Sequence, residues 1–116
     1  MAIERHQVGP RMSQAVVHGN TVYLAGQGAD DPSEGTGGQT RQILAKIDAL
    51  LKAAGTDKTR LLSANIWLTD MGNFAEMNAE WDAWVSAGNT PARATVQAQL
   101  ASPAYKVEIM VIAAKA

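Results

Sequence analysis

"QTRQILAKIDALLKAAG", residues 39–55, followed by "RLLSANIWLTD", residues 60–70, decides the fold class. In the first stretch Ile43, Leu44, Ile47, Leu50, Leu51 and Ala54 recur at helical spacing, and Gly55 stands where a helix C-terminal glycine belongs. In the second the period drops to two. Leu62, Ala64, Ile66 and Leu68 fall on one face of a strand, and Leu61, Ser63, Asn65 and Trp67 on the other. An amphipathic helix running straight into a strand with one fully apolar face implies a helix laid over a sheet.

The flanking segments extend this pattern. "SQAVVHGNTVYLAGQ", residues 13–27, sets two apolar runs around Gly19-Asn20 and reads as a tight hairpin, with a further strand admitted at "AIERHQ", residues 2–7. "DDPSEGTGG", residues 30–38, has the composition of a loop. "NFAEMNAEWDAWVSAG", residues 73–88, predicts a second helix, capped by Asn73 with Glu76 closing a capping box. Phe74, Met77, Trp81, Trp84 and Val85 form its apolar stripe. "TPARATVQAQL", residues 90–100, sends Ala94, Val96, Ala98 and Leu100 one way and Arg93, Thr95, Gln97 and Gln99 the other. "YKVEIMVIAA", residues 105–114, alternates Val107, Ile109 and Val111 with Lys106, Glu108, Met110 and Ile112.

The order β-β-α-β-α-β-β predicts a single α+β domain over residues 1–116, a two-layer sandwich with both helices on one sheet face. The opposite face would collect Tyr23, Gln27, Ser63, Asn65, Trp67, Thr95, Gln97, Met110 and Ile112. That set is too apolar to stay wet and too polar for a monomer core, so it is expected to pack against other copies of the chain.

Composition narrows the function. Apolar residues make up 47% of the 116 residues and charged residues 18%, the balance of a globular protein. A net charge of −1 with no basic patch argues against nucleic acid as partner. The absence of cysteine removes disulfides, thiolate catalysis and thiolate metal sites. No stretch approaches the roughly 18 apolar residues of a membrane span, and the N-terminal segment lacks a signal-peptide core, so a cytoplasmic protein is expected. His6 and His18 have no partners at metal-ligand spacing, so no metal is expected, and no cofactor either. Ser13 lacks a nucleophile-elbow setting, and Gly26 and Gly28 lack the third glycine of a dinucleotide fingerprint.

What remains is Arg93 with Glu108. If the last two strands were antiparallel neighbours, both side chains would fall near each other on the face away from the helices. A guanidinium offers a planar fork of donors that fits a carboxylate at two points. The pair therefore reads either as an ion pair at a sheet edge or as a site for a small acid. Gly26 in "AGQG" could let a ligand approach the backbone or simply mark a strand exit. Asn78 interrupts the second helix's stripe and would ordinarily bond a nearby loop, while Trp81 and Trp84 read as packing.

The motifs "GNTVYLAGQ" (19–27), "NFAEMNAEWDAW" (73–84) and "NTPARATVQAQLASPAYKVEIMVIAA" (89–114) together resemble the YjgF/RidA family of reactive-intermediate deaminases, in order and over nearly the whole chain. The resemblance implies a chorismate-mutase-like fold, a homotrimeric barrel with helices outside, and clefts between subunits. It implies hydrolysis of enamines and imines such as 2-iminopropanoate, released by pyridoxal-phosphate enzymes, to keto acids and ammonia. By the same resemblance Arg93 grips the substrate carboxylate, Glu108 positions or activates the water, and Gly26, Gln27, Asn78 and Thr95 line the cleft. Three positions depart from the family pattern: Thr95 stands where many members have cysteine, Arg11 and Met12 follow Gly9-Pro10 where a tyrosine is usual, and Ala25 replaces a frequent serine. A non-catalytic trimeric binder of small carboxylate metabolites would use the same arginine.

Overall fold

The computed structural model describes residues 1–116. Six strands form one sheet: β1 (Ile3–Val8), β2 (Ser13–His18), β3 (Thr21–Leu24), β4 (Leu61–Leu68), β5 (Ala92–Gln97) and β6 (Val107–Ala114). Their order across the sheet is β1-β2-β3-β6-β4-β5. Helices α1 (Thr36–Ala53) and α2 (Phe74–Trp84) cover one face. The fold is thus the expected α+β sandwich on a mixed sheet, with the additional N-terminal strand present as β1. Only β4 and β5 run parallel, because α2 carries the chain back to the same end before β5 begins.

The core lies between sheet and helices. Val17, Val22, Leu24, Ile66, Leu68, Ile109 and Val111 face Ile43, Ile47, Leu51 and Met77, each at most 3% exposed. The alternation read in β6 holds throughout, with Val107, Ile109, Val111 and Ala113 buried and the residues between them half-buried. The β2–β3 hairpin turns through Gly19 at φ +61°, with His18 opposite Thr21. Positive φ at the first loop residue alone is the pattern of a type II′ turn. Helix α1 ends in a Schellman arrangement: Gly55 N–H donates to Lys52 O at 3.1 Å and Thr56 N–H to Leu51 O at 2.9 Å.

Four local expectations need correcting. The last two strands are not neighbours, since β4 lies between β5 and β6. A β-bulge between Leu61 and Ser63 breaks the strict period, burying Leu61 at 6% exposure and leaving Leu62 51% exposed. Helix α1 starts at Thr36 and so takes the end of the presumed loop into its first turn. The capping box does not form: Asn73 makes no side-chain cap bond, and Glu76 instead accepts the Gly37 N–H of α1 at 2.6 Å. An acidic group there meets the unpaired amides of the α1 N-terminus and joins the two helices in one contact.

The face away from the helices stays uncovered in the single chain. Tyr23 is 45% exposed and Val96 50% exposed there, beside the half-buried Trp67, Met110 and Ile112. Thr95, Gln97 and Gln27 do not belong to it. Thr95 is registered with Ile66, Gln97 with Leu68 and Gln27 with Ile109, all of the buried face.

Candidate functional site

Arg93 sits on the edge strand β5, in register with Ala64 of the neighbouring β4. Ala64 is buried under the helices, so Arg93 projects on the helix side. Its guanidinium carbon lies 5.3 Å from the Trp81 ring centroid and 5.9 Å from that of Phe74. Both rings belong to α2, seven residues apart, and Asn78 stands between them on the same stripe. A guanidinium within about 6 Å of ring faces is held by the ring quadrupoles. The contact fixes the group while spending none of its N–H donors. Arg93 takes part in none of the chain's four ion pairs.

Two polar atoms beside this arginine have no partner. Asn78 Oδ1 and Thr95 Oγ1 are buried and make no hydrogen bond, and only His6 Nε2 shares that condition elsewhere in the chain. Leaving a polar atom buried and unpaired costs about 1–3 kcal/mol, and such groups call for an explanation at a functional site. Arg93, Asn78 and Thr95 are therefore gathered on one side of β5 against α2.

Glu108 lies elsewhere. It is registered with Trp67, whereas Arg93 is registered with Ala64, and these two β4 positions differ by an odd number of residues. The carboxylate and the guanidinium thus project from opposite faces of the sheet, with β4 between their strands. The shared face and the ion pair expected from alternation are absent within one chain, because β5 enters as a parallel edge strand on the far side of β4. Glu108 has no cationic partner in the chain. Its Oε2 lies so close over Gly26 that a methyl group there would overlap it. Glu108 itself borders an open cleft of about 270 Å³ lined also by Gly28, Leu100, Ala101 and Tyr105, with Lys46 at one wall.

Gln27 is bonded into the sheet by its backbone, its N–H donating to Ile109 O at 2.8 Å and Ile109 N–H returning to Gln27 O at 3.1 Å. Its side chain is 3% exposed and turns to a second cavity, where its amide donates to Gln14 Oε1 at 2.9 Å and Ala25 O at 3.0 Å. Arg11 and Met12 are both exposed in the β1–β2 connection. No three His, Asp or Glu side chains gather as metal ligands. The sequence reading missed the aromatic platform. Phe74 and Trp81 flank Asn78 at helical spacing, and that spacing was the available signal, but it reads equally well as core packing.

Residues 4–115 match the sequence model of the family described as Endoribonuclease L-PSP. The RutC family protein YoaB of Escherichia coli K12 is 46% identical over 114 residues, 98% of this chain and 99% of that one. The 2-iminobutanoate/2-iminopropanoate deaminase of Rattus norvegicus is 36% identical over 107 residues, 87% of this chain and 77% of that one. The crystal structure of NMB1025, a YjgF family member from Neisseria meningitidis, superposes with a TM-score of 0.97 at 46% identity, covering 100% of this chain and 97% of that one.

Proposed function

The chain belongs to the YjgF/RidA family, and on that premise we propose that it hydrolyses 2-imino acids and their enamine tautomers, such as 2-iminopropanoate, to 2-keto acids and ammonia. The observation that carries the reading is Arg93: a guanidinium braced on two aromatic rings, free of any carboxylate of its own, with two unpaired polar atoms beside it. In this reading Arg93 holds the substrate carboxylate through two parallel N–H···O bonds. Glu108 accepts a proton from water as the water oxygen bonds to the imine carbon. Glu108 returns that proton to the nitrogen, the hydroxyl so formed gives up its own proton to the nitrogen as the carbon–nitrogen bond breaks, and the nitrogen leaves as ammonia while the carbon becomes a keto group. The imine carbon is already electrophilic, so holding the acid and orienting one water is most of the task. A relative of the chain carries a deaminase name, while YoaB, with the higher identity, is named only by family.

The opposed faces of Arg93 and Glu108 fit this function only if two copies complete one cleft. A homotrimer whose uncovered sheet faces meet would do so, and the half-polar face with Tyr23 and Val96 exposed supports that assembly. A cytoplasmic setting beside the pyridoxal-phosphate enzymes that release such intermediates goes with this reading.

The test generates 2-iminopropanoate with a lyase and follows its loss. Native protein should accelerate the loss. Arg93→Ala should lower kcat/KM roughly 10- to 150-fold, the equivalent of a charge-assisted contact of about 1.5–3 kcal/mol. Glu108→Gln should lower kcat about 100-fold or more. Binding of pyruvate that depends on Arg93, with no acceleration of imine loss, would decide for the carboxylate binder instead.

A further inference from the structure

One polar cavity of the molecule lies away from Arg93 and meets the Glu108 cleft only at the Lys46–Asp30 wall. It has a volume of about 410 Å³ and is lined by Gln7, Gln14, Gln27, Asp30, Lys46 and the apolar pair Ala49 and Leu50. That volume lies in the range of small-molecule sites. Three glutamines line it, drawn from β1, β2 and the segment after β3, and the amides of Gln14 and Gln27 meet there. We infer that this cavity is a binding site for a small, neutral, planar molecule bearing an amide or imide group.

The charge argument comes first. Lys46 Nζ is 2.9 Å from Asp30 Oδ1 and donates to Gly28 O at 2.9 Å, so the one cation of the cavity is already neutralised. The same pair forms the wall shared with the Glu108 cleft. Neither an anion nor a cation finds an unmatched charge here. The amides supply a different complement. Gln27 commits its N–H donors to Gln14 Oε1 and Ala25 O, leaving its carbonyl without a donor in the chain. Gln14 accepts through its oxygen, so its NH₂ is uncommitted. Gln7 makes no side-chain hydrogen bond and supplies both a donor and an acceptor. Adjacent donors and acceptors of this kind match the edge of an amide, lactam or imide, whose flat face would lie on Ala49 and Leu50.

The backbone gives an independent reason. Gln7 has φ +51° in the interior of β1 and is the one non-glycine residue of the chain in the left-handed region. Glutamine has no intrinsic preference for that region, where asparagine or glycine is the ordinary choice. Such strain is kept where a side chain must be aimed, and it gathers at ligand sites.

The experiment titrates ¹⁵N-labelled full-length protein with succinimide and follows the side-chain amide resonances of Gln7, Gln14 and Gln27. N-methylsuccinimide, which lacks the N–H, and succinate, which is charged, are the comparison probes. Succinimide should give saturable shifts, N-methylsuccinimide should bind roughly three- to tenfold more weakly, and succinate should give none at these resonances. Gln7→Gly should fold with an undiminished Tm, since it relieves the left-handed strain, and bind succinimide roughly three- to tenfold more weakly. Gln7→Asn, which tolerates the backbone but retracts the amide, gives the same reading should the glycine variant not fold. Arg93→Ala should titrate like the native protein, which separates this cavity from the carboxylate site. Absence of saturation, equal binding of succinate, or native affinity in both Gln7 variants would overturn the inference.

Discussion

Gly26 and Glu108 are the residues whose roles shift most once contacts replace spacing. A glycine at the exit of a strand reads from sequence as a place where ligand meets backbone. In the folded chain the group that occupies that space is the Glu108 carboxylate itself, with no room for a methyl between them. Gly26→Ala should therefore push the carboxylate aside without touching Arg93. Because a misplacement of about 1 Å can cost roughly 100-fold in rate, the variant should lose most of its kcat for 2-iminopropanoate while its Kd for pyruvate holds. Parallel loss of both would make Gly26 a substrate contact instead. Asn78 and Thr95 were legible as candidates only through the family resemblance. By spacing alone an asparagine on a helix is as ordinary as one bonded to a loop, and only burial without a partner distinguishes it. Asp57 gives a pH-dependent prediction at the same scale. The Thr59 hydroxyl, and then the Thr59 N–H, donate to its carboxylate and hold its pKa below 3.8. The folded state thus favours the ionised form. Its contribution is complete above the ordinary carboxylate value and is lost as pH falls through the lower folded one. The urea midpoint of native protein should exceed that of Asp57→Asn near neutrality, and the gap should shrink below pH 3.8; a constant gap would contradict this.

Among the elements, α1 and β6 were readable because each carries a complete local signal. The α1 stripe buries five residues from Ile43 to Leu51, and β6 alternates without a break. Strand β5 was readable as a strand but not in its place. Its apolar residues suggested a core face, and the helix side was expected to take them. At a sheet edge the logic inverts: Arg93 lies against the aromatic surface of α2 with Thr95 on the same side, while Ala92, Ala94 and Val96 stay exposed on the other face. No local pattern states that α2 returns the chain to pair parallel with β4. The α1 N-terminus shows the same limit, because its acidic cap comes from Glu76, 39 residues away. Glu76→Ala removes the acceptor and the charge together and should lower stability by about 1–2 kcal/mol. Glu76→Gln should lose less, since the hydrogen bond survives. Urea unfolding at fixed protein concentration measures both, and equal losses would show that the charge alone matters.

At the scale of the whole molecule, a cleft that used both Arg93 and Glu108 could not form within one chain, because the sheet separates them. The helix-free face leaves Tyr23 and Val96 about half exposed beside Trp67, Met110 and Ile112, a surface suited to burial against another sheet. If a cleft takes its guanidinium from one protomer and its carboxylate from the next, Arg93→Ala and Glu108→Gln chains are each strongly impaired alone but complementary together. When the two are unfolded, mixed in equal amounts and refolded, a cleft is intact only where an Arg93-bearing chain meets a Glu108-bearing neighbour. Random assembly in a closed ring makes that about one cleft in four. Imine hydrolysis should recover to about a quarter of the native rate, and it should not recover when folded oligomers are mixed without exchange. If each site lay within one chain, every site would lack one residue or the other and the refolded mixture would stay as slow as its components. Recovery of activity by co-refolding, set against pyruvate binding by half the chains in the same sample, would tie the catalytic reading and the assembly to one measurement.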